Sequence, residues 1–100
     1  MKRNEILHEA EKCICGQRDE DYGKPEDNFG LIAELWTAYK CHSFTAKDVA
    51  LMLALLKVAR AANSDKADNF IDLCGYGACA GEIASANQIK VKEGQKNADN

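Results

Sequence analysis

The segment Val49–Ala62 restricts the fold more than any other part of the chain. It reads VALMLALLKVARAA, apolar on every side of a helix and interrupted only by Lys57 and Arg60. A helix with no polar side belongs at the centre of a bundle or in an interface between chains. It is too short, and too charged, to span a bilayer. Ionised groups are costly to bury unless they are paired or bound to something. Lys57 and Arg60 therefore need partners, and the next segment offers two carboxylates, Asp68 and Asp72.

The rest of the chain supplies three more helical patterns. Ile6, Leu7, Ala10, Cys13 and Ile14 recur at helical spacing and predict a first helix over about 2–17. Pro25, followed by Glu26 and Asp27, opens a second, because proline suits the first turn and acids complement the helix dipole. Its expected apolar stripe is Phe29, Ile32, Leu35, Trp36 and Tyr39. Thr45-x-x-Asp48 is a capping-box variant that opens the greasy third helix over about 46–62. After the short loop Asn63-Ser64-Asp65, a fourth helix is expected over about 66–86. It holds Gly75, Gly77 and Gly81, each costing about 1 kcal/mol against alanine inside a helix. Three such glycines predict a close neighbour, either another helix or a ligand. The fold expected is all-α: a four-helix bundle-like single domain over 1–87, with a short flexible polar tail over 88–100.

Composition narrows the function classes. One hundred residues make one small domain, and domains of this size often gain stability by self-association. The net charge of −3 argues against duplex nucleic acid as a partner. No membrane partner is expected, and a homo-oligomer is. The start Met1-Lys2-Arg3-Asn4-Glu5 lacks the apolar stretch of a secretory signal. Five cysteines, an odd number, then suggest reduced thiols in a cytosol. Cys13-x-Cys15 and Cys74-x-x-x-x-Cys79 lack zinc-site spacing, so no metal site is expected, and the cysteines read as small core residues. His8 reads as solvated and His42 as part of a turn.

The charged residues form the candidate site. A short loop makes the third and fourth helices antiparallel. Counting outward from Ser64 sets Arg60 level with Asp68 and Lys57 close to level with Asp72. Each pair shares one helix face, and Gly75 and Tyr76 fall beside the aspartates. Two readings follow. The pairs are internal salt bridges that fix the hairpin register, or Lys57 and Arg60 hold an anionic group such as phosphate. In the second reading the aspartates orient the cations, hold Mg²⁺ or accept sugar hydroxyls. The connection Arg18–Lys24, with Arg18, Tyr22 and Gly23, is a further ligand-covering candidate; its plain alternative is a solvated loop with Gly23 serving a turn.

The ordered set Arg18-x-x-x-Tyr22-Gly23, Phe29 through Trp36, Thr45-x-x-Asp48-Val49-Ala50, Lys57-x-x-Arg60 and Asp68-x-x-x-Asp72-x-x-Gly75-Tyr76 resembles a family of short phage and prophage proteins of unknown function. That family is similar to a domain associated with phage nucleotide modification. The resemblance covers about residues 4–86. It implies an all-helical phage-encoded protein of the bacterial host cytoplasm, and it marks Arg18, Tyr22, Gly23, Lys57, Arg60, Asp68, Asp72 and Tyr76 as matching positions. It implies no particular activity. The expected function is binding of a nucleotide or other phosphorylated ligand. One alternative is a Mg²⁺-dependent pyrophosphatase-like hydrolase, the only case in which a cofactor is expected. All-α pyrophosphatases hold Mg²⁺ on E-x-x-E and E-x-x-D motifs, and this chain has no E-x-x-E. The other alternative is a purely structural or protein-interaction bundle with internal salt bridges.

Overall fold

The computed structural model describes residues 1–16, 20, 21 and 23–98. Among the described residues four helices have defined bounds: α1 Arg3–Ile14, α2 Pro25–Lys40, α3 Ala46–Asn63 and α4 Ala67–Ala98. No strand occurs among the described residues. The all-α, bundle-like expectation therefore holds. The most extensive packing is between α3 and α4. On its other flank α3 meets α2, while α1 lies on α4, and α2 touches α4 only slightly. So α3 sits between α2 and α4, and α4 between α3 and α1.

Local chemistry sets the helix starts. Pro25 occupies the first turn of α2 with Glu26 and Asp27 beside it. At α3 the Thr45 hydroxyl accepts from the Asp48 backbone N–H at 3.1 Å, and the Asp48 carboxylate accepts from the Thr45 N–H at 2.9 Å. The capping box is thus complete. The backbone amide of Thr45, and then its side chain, hold the Asp48 carboxyl below the usual aspartate range. Just upstream, the Phe44 N–H donates to the Thr37 hydroxyl at 3.0 Å, which ties the α2–α3 connection to the end of α2.

The buried cluster joins Phe29 and Ala33 of α2, Val49 and Ala50 of α3, and Cys79, Ala80 and Ile83 of α4. Small residues dominate it, so the helices approach closely and Phe29 is its largest side chain. Trp36 stands edge-on to Phe44, with ring centroids 5.8 Å apart. It belongs to the rim of the core, as the sequence suggests.

Several expectations shift. In α2 the inward stripe is Phe29, Ile32, Ala33 and Trp36, whereas Leu35 and Tyr39 are 61% and 83% exposed. On α1 Ala10 is buried, whereas Leu7 is exposed and Cys13, though exposed, borders the contact with α4. The cysteines divide likewise: Cys79 is buried, Cys74 half-buried, and Cys13, Cys15 and Cys41 exposed. The fourth helix does not end near residue 86. It runs through Ala98, 32 residues in all, or about 48 Å at 1.5 Å per residue. That length accounts for most of the molecule's 53 Å long axis. The polar composition from residue 88 onward suggests a flexible tail, but the helix continues there. Its Ala, Lys, Glu and Gln content favours helix without burial.

The glycines of α4 need a second correction. A Cβ on Gly75 would lie 3.1 Å from Ile14 Cγ2, so Gly75 marks the α1–α4 crossing. At Gly77 and Gly81 a Cβ would meet nothing within 4 Å. Only one of the three glycines has a packed neighbour. Gly77→Ala and Gly81→Ala are each expected to stabilise the protein by about 0.5–1 kcal/mol, through helix propensity and a less flexible unfolded chain. Thermal melts of the two variants check this. A lowered Tm in either would show that its bare backbone is in use.

Candidate functional site

The α3–α4 turn builds the site. Asn69 is buried, and its side-chain amide donates to the Ser64 carbonyl at 3.4 Å. The Ser64 hydroxyl accepts from the Lys66 N–H at 3.3 Å, and the Asn69 N–H returns to the Lys66 carbonyl at 3.2 Å. These bonds fix a tight reversal, and the reversal sets the register of the hairpin.

One turn and more along that hairpin, Lys57 Nζ meets Asp72 Oδ2 at 2.8 Å. Their side chains are 13% and 35% exposed, so the pair sits at the edge of the interior. The counted pairing of Lys57 with Asp72 is therefore present. The counted pairing of Arg60 with Asp68 is not: among the described residues neither makes an ion pair. Both are exposed beside the turn that closes the hairpin, where water solvates each charge and little is gained by holding two long side chains together.

Arg60 and Asp68 do share a groove. It is open, has a volume near 430 Å³, and is lined by Lys57, Arg60, Asn63, Ser64, Lys66, Asp68 and Asn69. Of the three cations in that lining Lys57 is already paired with Asp72, which leaves Arg60 and Lys66 beside Asp68. The first turn of α4 begins at the same place, where the helix dipole is positive, although the Asn69 N–H there is already bonded to the Lys66 carbonyl.

The other candidates lie elsewhere. Asp72, Gly75 and Tyr76 line a crevice of only about 30 Å³ with Cys13, Ile14, Ile71 and Cys79, where α1 covers α4. That space is the size of a water molecule. Tyr76 also turns its ring to Phe29, with centroids 6.3 Å apart. Gly75 and Tyr76 thus serve packing between helices, and only Asp72 connects the crevice to the groove, through Lys57. Gly23 has φ +79, in the left-handed region that favours glycine, and open space where a Cβ would stand. Arg18 and Tyr22 lie outside the described residues. His8 is exposed, 4.0 Å from Glu11. His42, exposed in the turn after α2, stacks edge-on to Phe44.

Sequence reasoning missed Asn63, Ser64, Lys66 and Asn69 as groove residues and took the first two for plain loop. The available signal was the polar run Asn63-Ser64-Asp65-Lys66 placed directly beside Arg60. Among the described residues no three His, Cys, Asp or Glu side chains come together as a metal site. No helix among them is long and apolar enough to cross a membrane.

A family model described as a domain of unknown function, DUF6378, matches residues 5–84. The chain is 48% identical over 73 residues to the Gene 55 protein of Mycobacterium phage L5, covering 71% of this chain and 47% of that protein. It is 38% identical over 79 residues to the Gene 55 protein of Mycobacterium phage D29, covering 78% of this chain and 52% of that one. The chain thus spans about half the length of these relatives. No solved structure matches it.

Proposed function

The chain belongs to the DUF6378 family, whose curated relatives here are mycobacteriophage proteins, and we propose that it binds a nucleotide or similar phosphorylated small molecule in the groove at the α3–α4 turn, in the host cytoplasm. One observation carries this reading. Arg60 and Lys66 line an open groove of about 430 Å³ without an ion-pair partner among the described residues. Lys57, at the inner wall, is already held by Asp72.

Arg60 offers a planar fork of donors suited to two phosphate oxygens, and Lys66 adds a mobile point charge. The first turn of α4 adds backbone donors. Asp68, on the same rim, accepts hydroxyl protons and so favours a sugar phosphate over bare phosphate. Binding is favoured over Mg²⁺-dependent hydrolysis for two reasons. Asp72 is committed to Lys57, and the described carboxylates do not cluster as a metal site. A purely structural bundle accounts for Lys57 and Asp72 but leaves Arg60 and Lys66 in the groove without a use.

The test is calorimetric titration with inorganic phosphate, pyrophosphate, nucleoside mono- and triphosphates and unphosphorylated nucleosides. Phosphorylated compounds are expected to bind, more weakly as salt rises. Arg60→Ala should cost about 10- to 100-fold in affinity, the value of about 1.5–3 kcal/mol for a charged hydrogen-bonding group. The variant's melting temperature should stay near wild type because Arg60 is exposed. No heat and no thermal stabilisation at millimolar concentration of every phosphorylated compound would refute the proposal.

A further inference from the structure

The helix α3 is apolar all round, yet its neighbours cover only one side of it. Val49 and Ala50 are buried and Lys57 faces α4. On the opposite side Leu51, Met52, Leu55, Leu56 and Val58 are 46%, 40%, 65%, 43% and 48% exposed. Ala59 and Ala62 continue that face. Between Asp48 and Arg60 its side chains carry no charge. Scattered apolar residues on a surface are ordinary, but a continuous face along four turns marks an interaction site.

We propose that this face packs against the same face of a second copy of the chain, with the two α3 helices antiparallel and a two-fold axis beside Leu55. Two observations favour a second copy. The first is shape. Along its central line, Leu51, Leu55, Ala59 and Ala62, the face runs from bulky to small, with Met52 and Leu56 on one flank and Val58 on the other. An antiparallel two-fold sets Leu51 of one copy over Ala59 of the other, twice by symmetry, and brings the two Leu55 side chains together. Such a surface is complementary to itself, as an isologous interface requires. The second is area. The five large side chains expose on the order of 400 Å², taking roughly 150–200 Å² for each side chain fully exposed. With Ala59, Ala62 and the flanking Lys47 stem the face reaches on the order of 500 Å². Two copies then bury about 1,000 Å², the minimum for a specific interface. A reversible dimer of micromolar strength is the expected product. This inference is independent of the ligand groove, whose Arg60 sits at the rim of the face.

Sedimentation equilibrium on the whole chain tests it. Wild type should approach twice the 11.0 kDa chain mass at about 100 μM. Leu55→Glu, at an exposed position, should keep the helical circular dichroism and weaken self-association by roughly a hundredfold, since it would bury an unpaired charge. Leu51→Arg and Ala59→Glu should each do the same, and the double variant should dimerise again because each arginine then faces a glutamate. A wild-type monomer at that concentration overturns the proposal and leaves the face to a different protein. A dimer indifferent to Leu55→Glu overturns the assigned face. Failure of the double variant to recover overturns the antiparallel register.

Discussion

Phe29→Ala lowers the stability of this fold by about 3–5 kcal/mol, the range for removing a buried aromatic side chain. The reason lies in how the core is made. Phe29 is 2% exposed and is the largest member of a cluster otherwise built from Ala33, Val49, Ala50, Cys79, Ala80 and Ile83. A core of alanines brings helix backbones close already, so it has little room to collapse into the space a phenyl ring leaves. Phe29 also reaches across to Tyr76 of α4, with which α2 has few other contacts. Its loss therefore leaves a cavity and unfastens α2 together. A small domain of this size holds about 5–15 kcal/mol in total, so the variant approaches the threshold of folding. At about 4–8 °C per kcal/mol, the melting temperature should fall by at least roughly 12 °C. Urea denaturation followed by circular dichroism gives the free energy directly, and Phe29→Leu should lose much less. A loss under about 1 kcal/mol for Phe29→Ala would mean that the core can repack.

What could be read from the chain was whatever a few neighbouring residues decide. The α3 start follows from Thr45 and Asp48, because a capping box is a bond between residues three apart. The α2 start follows from Pro25 for a similar reason. The Lys57–Asp72 contact was also legible, since a turn of three residues leaves little freedom in how far the hairpin slides. The same counting failed for Arg60 and Asp68. Being level makes a pairing available, but two exposed charges gain too little from it to stay joined.

Other features depend on partners that the local sequence does not name. Gly75, Gly77 and Gly81 look alike in the sequence, yet Ile14 from α1 meets only the first. Leu35 and Tyr39 continue the apolar period of α2 but turn away from α3. An all-apolar helix such as α3 gives no sign of which side its neighbours will cover. The α4 end was missed for a different reason: helix propensity carries Gln88–Ala98 where apolar periodicity, the signal relied on, is absent. At the site, two cations and two aspartates were found, but they belong to different places. Lys57 and Asp72 close the interior, whereas Arg60 and Asp68 open onto the groove. Tyr76 and Gly75 lie under α1 because α1 crosses α4 there, a contact between segments some sixty residues apart that hairpin counting does not reach.

The division between clamp and groove makes the Lys57–Asp72 pair decisive. Asp72→Leu should destabilise the protein by about 1–3 kcal/mol, the cost of leaving a largely covered charged donor without its partner. A fully buried pair would cost about 3–5 kcal/mol and an exposed one about 0–1. This pair falls between, with Lys57 13% and Asp72 35% exposed. Lys57→Met should cost less, because a methionine fills the stem's place and the remaining carboxylate still reaches water. In Lys57→Met with Asp72→Leu both charges are gone and the hairpin keeps its apolar contacts, so stability should return to within about 1 kcal/mol of wild type. The cycle should therefore show coupling of about 1–2 kcal/mol. If this pair is a register clamp and Arg60 with Lys66 holds the ligand, the double variant also keeps phosphorylated-ligand affinity within a few-fold of wild type. A stable double variant that has lost that affinity would move Lys57 from the clamp into the binding site.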